Sequence, residues 1–252
     1  MSLNLTETAH RIHDEMYPSH ASVLKDTDPE IIEVFENCAF DEVMQYGDWL
    51  DYKILTKCLM GTLIARHTPL EYRFMVTCAL HVGVPAAEVQ ETLYHTTPWV
   101  GVALMNEFLK LTNEVMTTFK VEKPLPSNMT NTHGTRYSTG LKVQKKLFGN
   151  AVEKEYADAP EDEKLFKKVE TSFAYGDFYT RSSLDLKTRE LLTYSTLLGM
   201  GYEEPLKKHI AANIKLGNDR ALLLTVLSRT MPYIGFPLTE IALKCIDEVA
   251  PA

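Results

Sequence analysis

The sequence predicts an all-α protein built from two similar halves, and three observations lead to this prediction. Alternating Val, Ile and Thr runs bounded by hairpin turns, which would indicate strands, are absent from the 252 residues. Helix-start signals are frequent instead, and an internal repeat divides the chain. We therefore expect roughly ten to twelve helices, most of them about 10 to 18 residues long.

The first helices are predicted from their caps. Asp28 is in the position of an N-cap, with Pro29 in the first helical position. Thr68 is followed by Pro69 and, three residues after the Thr, by Glu71, a spacing typical of a capping box. Two further helices are predicted in VPAAEVQETLYH and NDRALLLTVLSR, each of which follows a glycine.

A later segment, EDEKLFKKVETSFAYG, is predicted to be one amphipathic helix. Its apolar residues Leu165, Phe166 and Val169 lie at helical spacing and would form one face. We expect that face to pack against the rest of the protein.

A linker separates the two halves. Residues 120–134, KVEKPLPSNMTNTHG, are rich in Pro, Asn, Thr and Ser and have no apolar period. The prediction is therefore an N-terminal module at 1–119, a linker at 120–134 and a C-terminal module at 135–252.

The two halves carry a repeat at a constant offset of 134 residues. The matched pairs are Gly83 with Gly217, Leu93 with Leu227, Thr96 with Thr230, Pro98 with Pro232, and Gly101 with Gly235. An aromatic residue follows each of the two prolines, Trp99 in one half and Tyr233 in the other. A duplicated and fused module explains this pattern, and its copies would bury each other's apolar faces about a pseudo-two-fold axis.

Two polar residues are not repeated. Glu190 matches Thr56 and His209 matches Met75 at the same offset, so the first half has neither the acid nor the imidazole. A pair that only maintained the fold would be needed in both halves. The asymmetry therefore favours a chemical role in the second half, although drift in one copy would give the same pattern.

The spacing of this pair suits a helical hairpin. Glu190 precedes His209 by 19 residues, with a turn predicted at residues 199–202, so both side chains can face the groove between the helices. A carboxylate beside an imidazole fixes its tautomer and stabilises its protonated form, which can then donate a proton. The alternative interpretation is a structural pair, with Glu190 favoured by the helix dipole.

Aromatic and basic residues precede this helix. The segment FAYGDFYTRSSLDLKTRE contains Tyr175, Tyr179 and Arg181. Arg181 is a candidate for binding a substrate carboxylate through two parallel hydrogen bonds. The alternative is a surface ion pair of Arg181 with Asp177 or Asp185.

Composition excludes several other functions. The formal net charge of −8 argues against nucleic acid or an anionic membrane as the main partner. The four cysteines, at 38, 58, 78 and 245, form neither a CxxC pair nor a zinc-ligand spacing, so we expect reduced and mostly buried thiols. The start of the chain has no apolar signal region and no long apolar run follows, which indicates a cytoplasmic protein.

Several ordered motifs resemble the carboxymuconolactone decarboxylase family. They are Arg189-Glu190-Leu191-Leu192, His209 nineteen residues after the Glu, Ala212 to Gly217, and Pro232-Tyr233-Ile234-Gly235-Phe236-Pro237. The segment RYSTGLKVQKKLFG resembles the opening of such a module. The resemblance covers residues 134 to 248 well and residues 36 to 115 weakly. It implies two fused helical modules of the alkylhydroperoxidase D-like fold.

The family has two chemical branches. The peroxidase branch resembles alkylhydroperoxidase D and needs a CxxC, whose positions here hold Tyr202 and Pro205, so this branch is disfavoured. The decarboxylase branch is implied to need no cysteine, metal or organic cofactor and to convert 4-carboxymuconolactone into an enol-lactone. In that branch His209 would deliver a proton and Glu190 would orient it.

The resemblance also suggests how a substrate would bind. Arg181 would bind the carboxylate of a small anionic substrate, and Tyr175 and Tyr233 would line its site. A trimer of two-module chains is the expected homo-oligomer. Two alternatives stay open, a thiol-dependent peroxidase-like redox protein and a non-catalytic oligomeric binding module.

Overall fold

The computed structural model describes residues 3–18, 22–47 and 49–252. Within these ranges the chain is helical without strands, which confirms the all-α prediction, with one α-helix more than expected. The N-terminal helices are α1 (Glu7–Met16), α2 (Pro29–Phe40), α3 (Tyr52–Ala65), α4 (Pro69–His81), α5 (Ala86–Val100) and α6 (Val102–Thr118). The later helices are α7 (Arg136–Phe148), α8 (Ala151–Asp158), α9 (Lys164–Glu170), α10 (Leu186–Met200), α11 (Glu203–Lys215), α12 (Arg220–Ile234) and α13 (Phe236–Val249).

Two shorter elements complete the secondary structure. A 3₁₀ turn spans Glu42–Gln45, and a π-helix at Thr171–Phe178 continues directly from α9. Among the described residues, no helix combines the length and apolar character needed to cross a bilayer.

Helices α3 and α10 cross at the centre of the molecule. Both are buried on all sides, α3 from Leu55 to Ile64 and α10 from Arg189 to Gly199. Gly199 permits their close approach, because a Cβ atom there would lie 2.8 Å from the carbonyl oxygen of Thr62. The two halves therefore share one apolar core, and a polar residue on α10 is necessarily buried.

The helices of the two halves follow the repeat found in the sequence. The bounds of α4 and α11, and those of α5 and α12, differ by 134 residues at both ends. Gly101 and Gly235 end α5 and α12 with φ angles of 87° and 79°, which favour glycine. This correspondence supports the predicted duplication, while the pseudo-two-fold and the domain boundaries stay predictions. The chain from 119 to 135, which includes the proposed linker, has no helix.

The predicted caps are only partly correct. Pro29 and Pro69 begin α2 and α4, as expected. The capping box at Thr68 is wrong, since its hydroxyl donates instead to the carbonyl oxygen of Leu63 at 3.1 Å. Asp28 precedes α2 but makes no capping hydrogen bond with its side chain.

The amphipathic helix predicted across residues 161–176 is also different in the structure. The α-helix α9 has no buried residue, and Leu165, Phe166 and Val169 are 66%, 72% and 51% exposed. The chain then changes to the π-helix, whose inner face is buried. Periodicity correctly identified an apolar face, but none of the described residues covers it.

The π-helix is held in place by α7. A Cβ atom at Gly140 would overlap the carbonyl oxygen of Thr171, and one at Gly176 would overlap that of Arg136. The two backbones are therefore in direct contact, which only glycine permits. This contact positions Tyr175 and the following Tyr179 over the start of α10.

Candidate active site

Glu190 and His209 form a buried hydrogen-bonded pair. The Nδ1 atom of His209 on α11 is 2.5 Å from Oε1 of Glu190 on α10, and the two residues are 2% and 0% exposed. The turn between the helices places Gly201 at φ 74°, in the left-handed region that favours glycine. The predicted hairpin is thus present, and its two polar side chains meet within it.

The Tyr179 side chain helps to hold the Glu190 carboxylate in place. The Tyr179 hydroxyl donates to Oε2 of Glu190 at 2.8 Å and also contacts the Thr193 hydroxyl at 2.6 Å. Burial, together with the Glu190 charge, raises the pKa of Tyr179 well above its usual value. The phenol therefore stays protonated and remains a donor to the carboxylate.

Asn213 fixes the backbones that carry the pair. Its Nδ2 atom donates to the carbonyl oxygens of Glu190 at 3.0 Å and His209 at 2.8 Å. Its Oδ1 atom accepts from Asn218 at 2.7 Å. The bond to Glu190 joins α11 to α10, and the amide has a partner for both its oxygen and its nitrogen, so the pair is placed on a rigid support.

A cavity of about 470 Å³ lies beside His209. Its walls include Trp99, Tyr175, Leu197 and Lys208. Because Glu190 occupies Nδ1 of His209, the second ring nitrogen, Nε2, is the one left for a ligand, and it makes no hydrogen bond to any described residue. Neighbouring aromatic rings keep the imidazole in position: Trp99 and Phe148 meet it edge-on, at 5.0 and 5.4 Å between centroids.

The N-terminal half contributes one helix face to this site. Glu91, His95 and Trp99 on α5 are spaced four residues apart and therefore share one face, which packs on α10. The Nε1 atom of Trp99 is buried without a hydrogen-bond partner in the described part of the chain. Sequence reasoning noted Trp99 only as an aromatic after a proline. The E-x-x-x-H-x-x-x-W spacing is the signal from which this face could have been found.

The middle residue of that face, His95, is a neutral structural histidine. Its Nε2 atom donates to the carbonyl oxygen of Arg189 at 2.8 Å. Burial and the Arg189 charge lower its pKa well below the usual value. A neutral imidazole held in this way links α5 to α10 and does not compete with His209 for a proton.

Arg181 is bound to a buried carboxylate. Its Nε atom is 2.9 Å from both carboxylate oxygens of Glu91, and Arg189 contacts the same carboxylate at 3.1 Å. The predicted local partners are occupied elsewhere, since Asp177 pairs with Arg136 and Asp185 caps α10. Arg181 is thus paired with Glu91 and is not among the described residues that line the His209 cavity.

The predicted site residues separate into two groups. Tyr175 lines the cavity, with its ring 5.0 Å from that of Tyr179. Tyr233 instead contacts Phe35 at 5.6 Å and lines a different cavity. Trp99, which precedes Tyr233 by the repeat offset, takes the place predicted for that tyrosine. Among the described residues, no group of three or more His, Cys, Asp or Glu is placed to hold a metal ion.

Comparison with known proteins agrees with this geometry. The model of the carboxymuconolactone decarboxylase family matches residues 165–248, the segment that contains the π-helix, Glu190 and His209. A protein of Acinetobacter baylyi named 4-carboxymuconolactone decarboxylase is 28% identical over 115 residues, which cover 45% of this chain and 86% of that protein. The C-terminal part of the chain, from α9 to α13, is therefore similar to the carboxymuconolactone decarboxylase family.

Proposed function

We propose that the protein is a cofactor-independent, decarboxylase-like enzyme that acts on a small carboxylated lactone or a related acid. The observation that carries this proposal is the buried Glu190–His209 hydrogen bond, which leaves Nε2 of His209 beside a cavity of about 470 Å³. A cavity of this volume suits a small organic molecule. The activity named for the Acinetobacter baylyi relative supports the same reaction class.

The proposed step needs one proton donor. The bond between the lactone carbon and its carboxylate breaks, CO2 leaves, and the electron pair of that bond remains on the conjugated lactone. Protonated His209 then donates the proton on Nε2 to carbon, which gives the enol-lactone and a neutral imidazole that water reprotonates. Glu190 remains a carboxylate throughout and stabilises the imidazolium that precedes the transfer.

The cavity also offers groups for binding a carboxylate. Lys208 lines its edge, with Nζ 4.4 Å from the centre of the Phe148 ring. Trp99 also lines this cavity, and its buried indole N–H lacks a partner within the described chain. Glu170 and Glu204 also line the cavity and repel a substrate carboxylate that approaches them. We therefore infer that an anionic substrate binds with its carboxylate toward Lys208 and Trp99.

The thiol-dependent alternative receives no support from the positions of the cysteines. Tyr202 and Pro205, which occupy the places of the family's redox cysteines, line the cavity. Burial raises the pKa of Cys58 to about 11 and that of Cys78 to about 12, so neither thiol forms an appreciable thiolate near neutral pH. Acid–imidazole chemistry is thus a better-supported interpretation of the site than thiol chemistry.

The test is the loss of 4-carboxymuconolactone and the release of CO2 by purified wild-type protein and by His209→Gln. Wild type is expected to turn over the substrate, and His209→Gln is expected to lose at least about a hundredfold in kcat, as for removal of a general acid. His81→Gln, at an exposed histidine on α4, is the matched control and should keep full activity. Equal turnover by wild type and His209→Gln would refute the proposed role.

A further inference from the structure

A second cavity lies in the N-terminal half. It has a volume of about 460 Å³ and is enclosed by α1, α2 and α4 and by the end of α12. Its walls are mostly apolar, with aromatic side chains that include Phe35, Phe40 and Tyr233. None of its lining residues belongs to the His209 cavity, so the two spaces are separate.

The two cavities are formed by equivalent positions of the repeat. Eight residues that line the His209 cavity have counterparts 134 residues earlier or later that line the second one. Met75 takes the place of His209, and Phe74 takes that of Lys208. The N-terminal half has thus kept a cavity of similar volume while its proton donor and its cation were replaced by apolar side chains.

Glu36 is the buried acidic side chain in the wall of this cavity. Glu36 on α2 lines it, is only 7% exposed and makes no hydrogen bond within the described residues. A donor bound in the cavity can hydrogen-bond this carboxyl group in place of water. Burial raises the pKa of Glu36, which the nearby His13 and Lys25 partly oppose.

The charge around the cavity limits its ligand. Glu71 is a second carboxylate in the wall, and none of the described lining residues is a Lys or an Arg. A ligand carboxylate would therefore meet two carboxylates, with His13 as the one described lining side chain that can carry a positive charge. A hydroxyl or ammonium group, in contrast, can donate to Glu36 while an apolar body fills the aromatic walls.

We propose that this cavity is a second, non-catalytic binding site for a small molecule with an apolar body and one hydrogen-bond donor, an alcohol or an amine, and without a carboxylate. Its placement assigns to the N-terminal half a function other than scaffolding. The inference does not depend on the proposed decarboxylation, because the two cavities share no residue.

The experiment uses the full chain labelled with methyl-¹³C methionine. Met75 lines the second cavity and Met200 lines the His209 cavity, so the two methyl signals report on the two spaces separately. Met75→Leu and Met200→Leu assign the signals. The probes are 2-phenylethanol, 2-phenylethylamine and 3-phenylpropanoate, which share an aromatic body and differ in the polar group.

The alcohol and the amine are expected to shift the Met75 signal saturably, and the propanoate is expected to leave it unchanged. Glu36→Gln should weaken binding of the amine by about tenfold, the loss of one charge-assisted hydrogen bond. Glu30→Gln, at an exposed position of the same helix, is the matched control and should bind like wild type.

Four outcomes would overturn the inference: no shift of Met75 with any probe, an equal shift with the propanoate, unchanged affinity in Glu36→Gln, or a Met75 signal that depends on protein concentration alone. The last would mean that a second copy of the chain fills the cavity. A silent Met200 signal with the propanoate counts only against the proposed decarboxylase site.

Discussion

The Trp99 indole stands edge-on to the His209 imidazole, with 5.0 Å between the ring centroids and an interplanar angle of 79°. Trp99 lies on α5 in the N-terminal half, whereas His209 lies on α11 in the C-terminal half. The acid–imidazole pair therefore belongs to one half, but its cavity is completed by the other. This explains why the N-terminal half keeps its scaffold although it has lost its own pair.

Trp99→Phe tests whether the indole N–H binds substrate. The substitution keeps an aromatic ring against His209 and removes the buried donor, so KM should rise by about tenfold, the worth of one hydrogen bond, with a smaller change in kcat. Steady-state kinetics on 4-carboxymuconolactone measures both constants. Trp49→Phe, at an exposed position, is the control. An unchanged KM in Trp99→Phe would show that the N–H does not contact substrate.

Glu190→Gln tests whether the carboxylate positions and charges His209. A neutral amide cannot stabilise the imidazolium, so kcat should fall by about a hundredfold while KM changes little. Tyr179→Phe removes one hydrogen bond to the same carboxylate but keeps the pair, and its kcat should fall less. The pH profile of kcat distinguishes this role from a structural one, because loss of the charge moves the acidic and basic limits of activity. A decrease in kcat without any change in that profile would argue for a merely structural Glu190.

The Glu190–His209 pair was within reach of sequence reasoning because its determinants are local. Nineteen residues separate the two side chains, and Gly201 in the turn brings their helices together. The all-α class and the 134-residue offset could also be predicted from the sequence, since helix bounds and capping glycines are properties of short segments. The burial of Glu190 could not be predicted in this way, because it depends on the crossing of α10 with α3.

The partner of Arg181 lay beyond such reasoning. Asp177 and Asp185 were the nearby candidates, yet both are occupied by local contacts, and the arginine reaches Glu91, ninety residues earlier. Packing of α5 on α10 creates this pair, and no spacing along the chain encodes it. Tyr233 illustrates the same limit. The repeat makes Trp99 and Tyr233 equivalent positions, but it does not tell which of these two residues lies beside His209.

Glu91→Ala should destabilise the fold strongly. Glu91 is 1% exposed and accepts from both Arg181 and Arg189, so its removal leaves the fully buried Arg189 charge without a counterion. The expected loss in the free energy of unfolding is about 3 to 5 kcal/mol, measured by urea titration. Glu114→Ala breaks the exposed pair with Arg73 and should cost less than about 1 kcal/mol. Similar losses in both variants would contradict this difference.

The buried thiols should resist alkylation in the folded protein. Burial raises the pKa of Cys58 to about 11, so at pH 8 about one thiol in a thousand is ionised, and this fraction increases tenfold with each pH unit. Mass spectrometry after iodoacetamide treatment at pH 8 should therefore find at most one adduct, at the partly exposed Cys38. Decarboxylase activity should survive the treatment. Rapid labelling of Cys58 or Cys78 with loss of activity would revive the thiol-dependent alternative.

Phe166→Lys tests the expected trimer through the exposed apolar face of α9. Leu165, Phe166 and Val169 expose more than half of their surface, and apolar side chains grouped in this way are typical of subunit interfaces. Wild type is expected to sediment near 86 kDa, three times 28.6 kDa, and Phe166→Lys is expected to move toward the monomer mass because it places a charge in that contact. Phe236→Lys changes an equally exposed phenylalanine on α13 and should leave the mass unchanged, with circular dichroism verifying that both variants fold. A wild-type mass of 28.6 kDa would exclude the trimer, and a trimeric Phe166→Lys would place the contact on another surface.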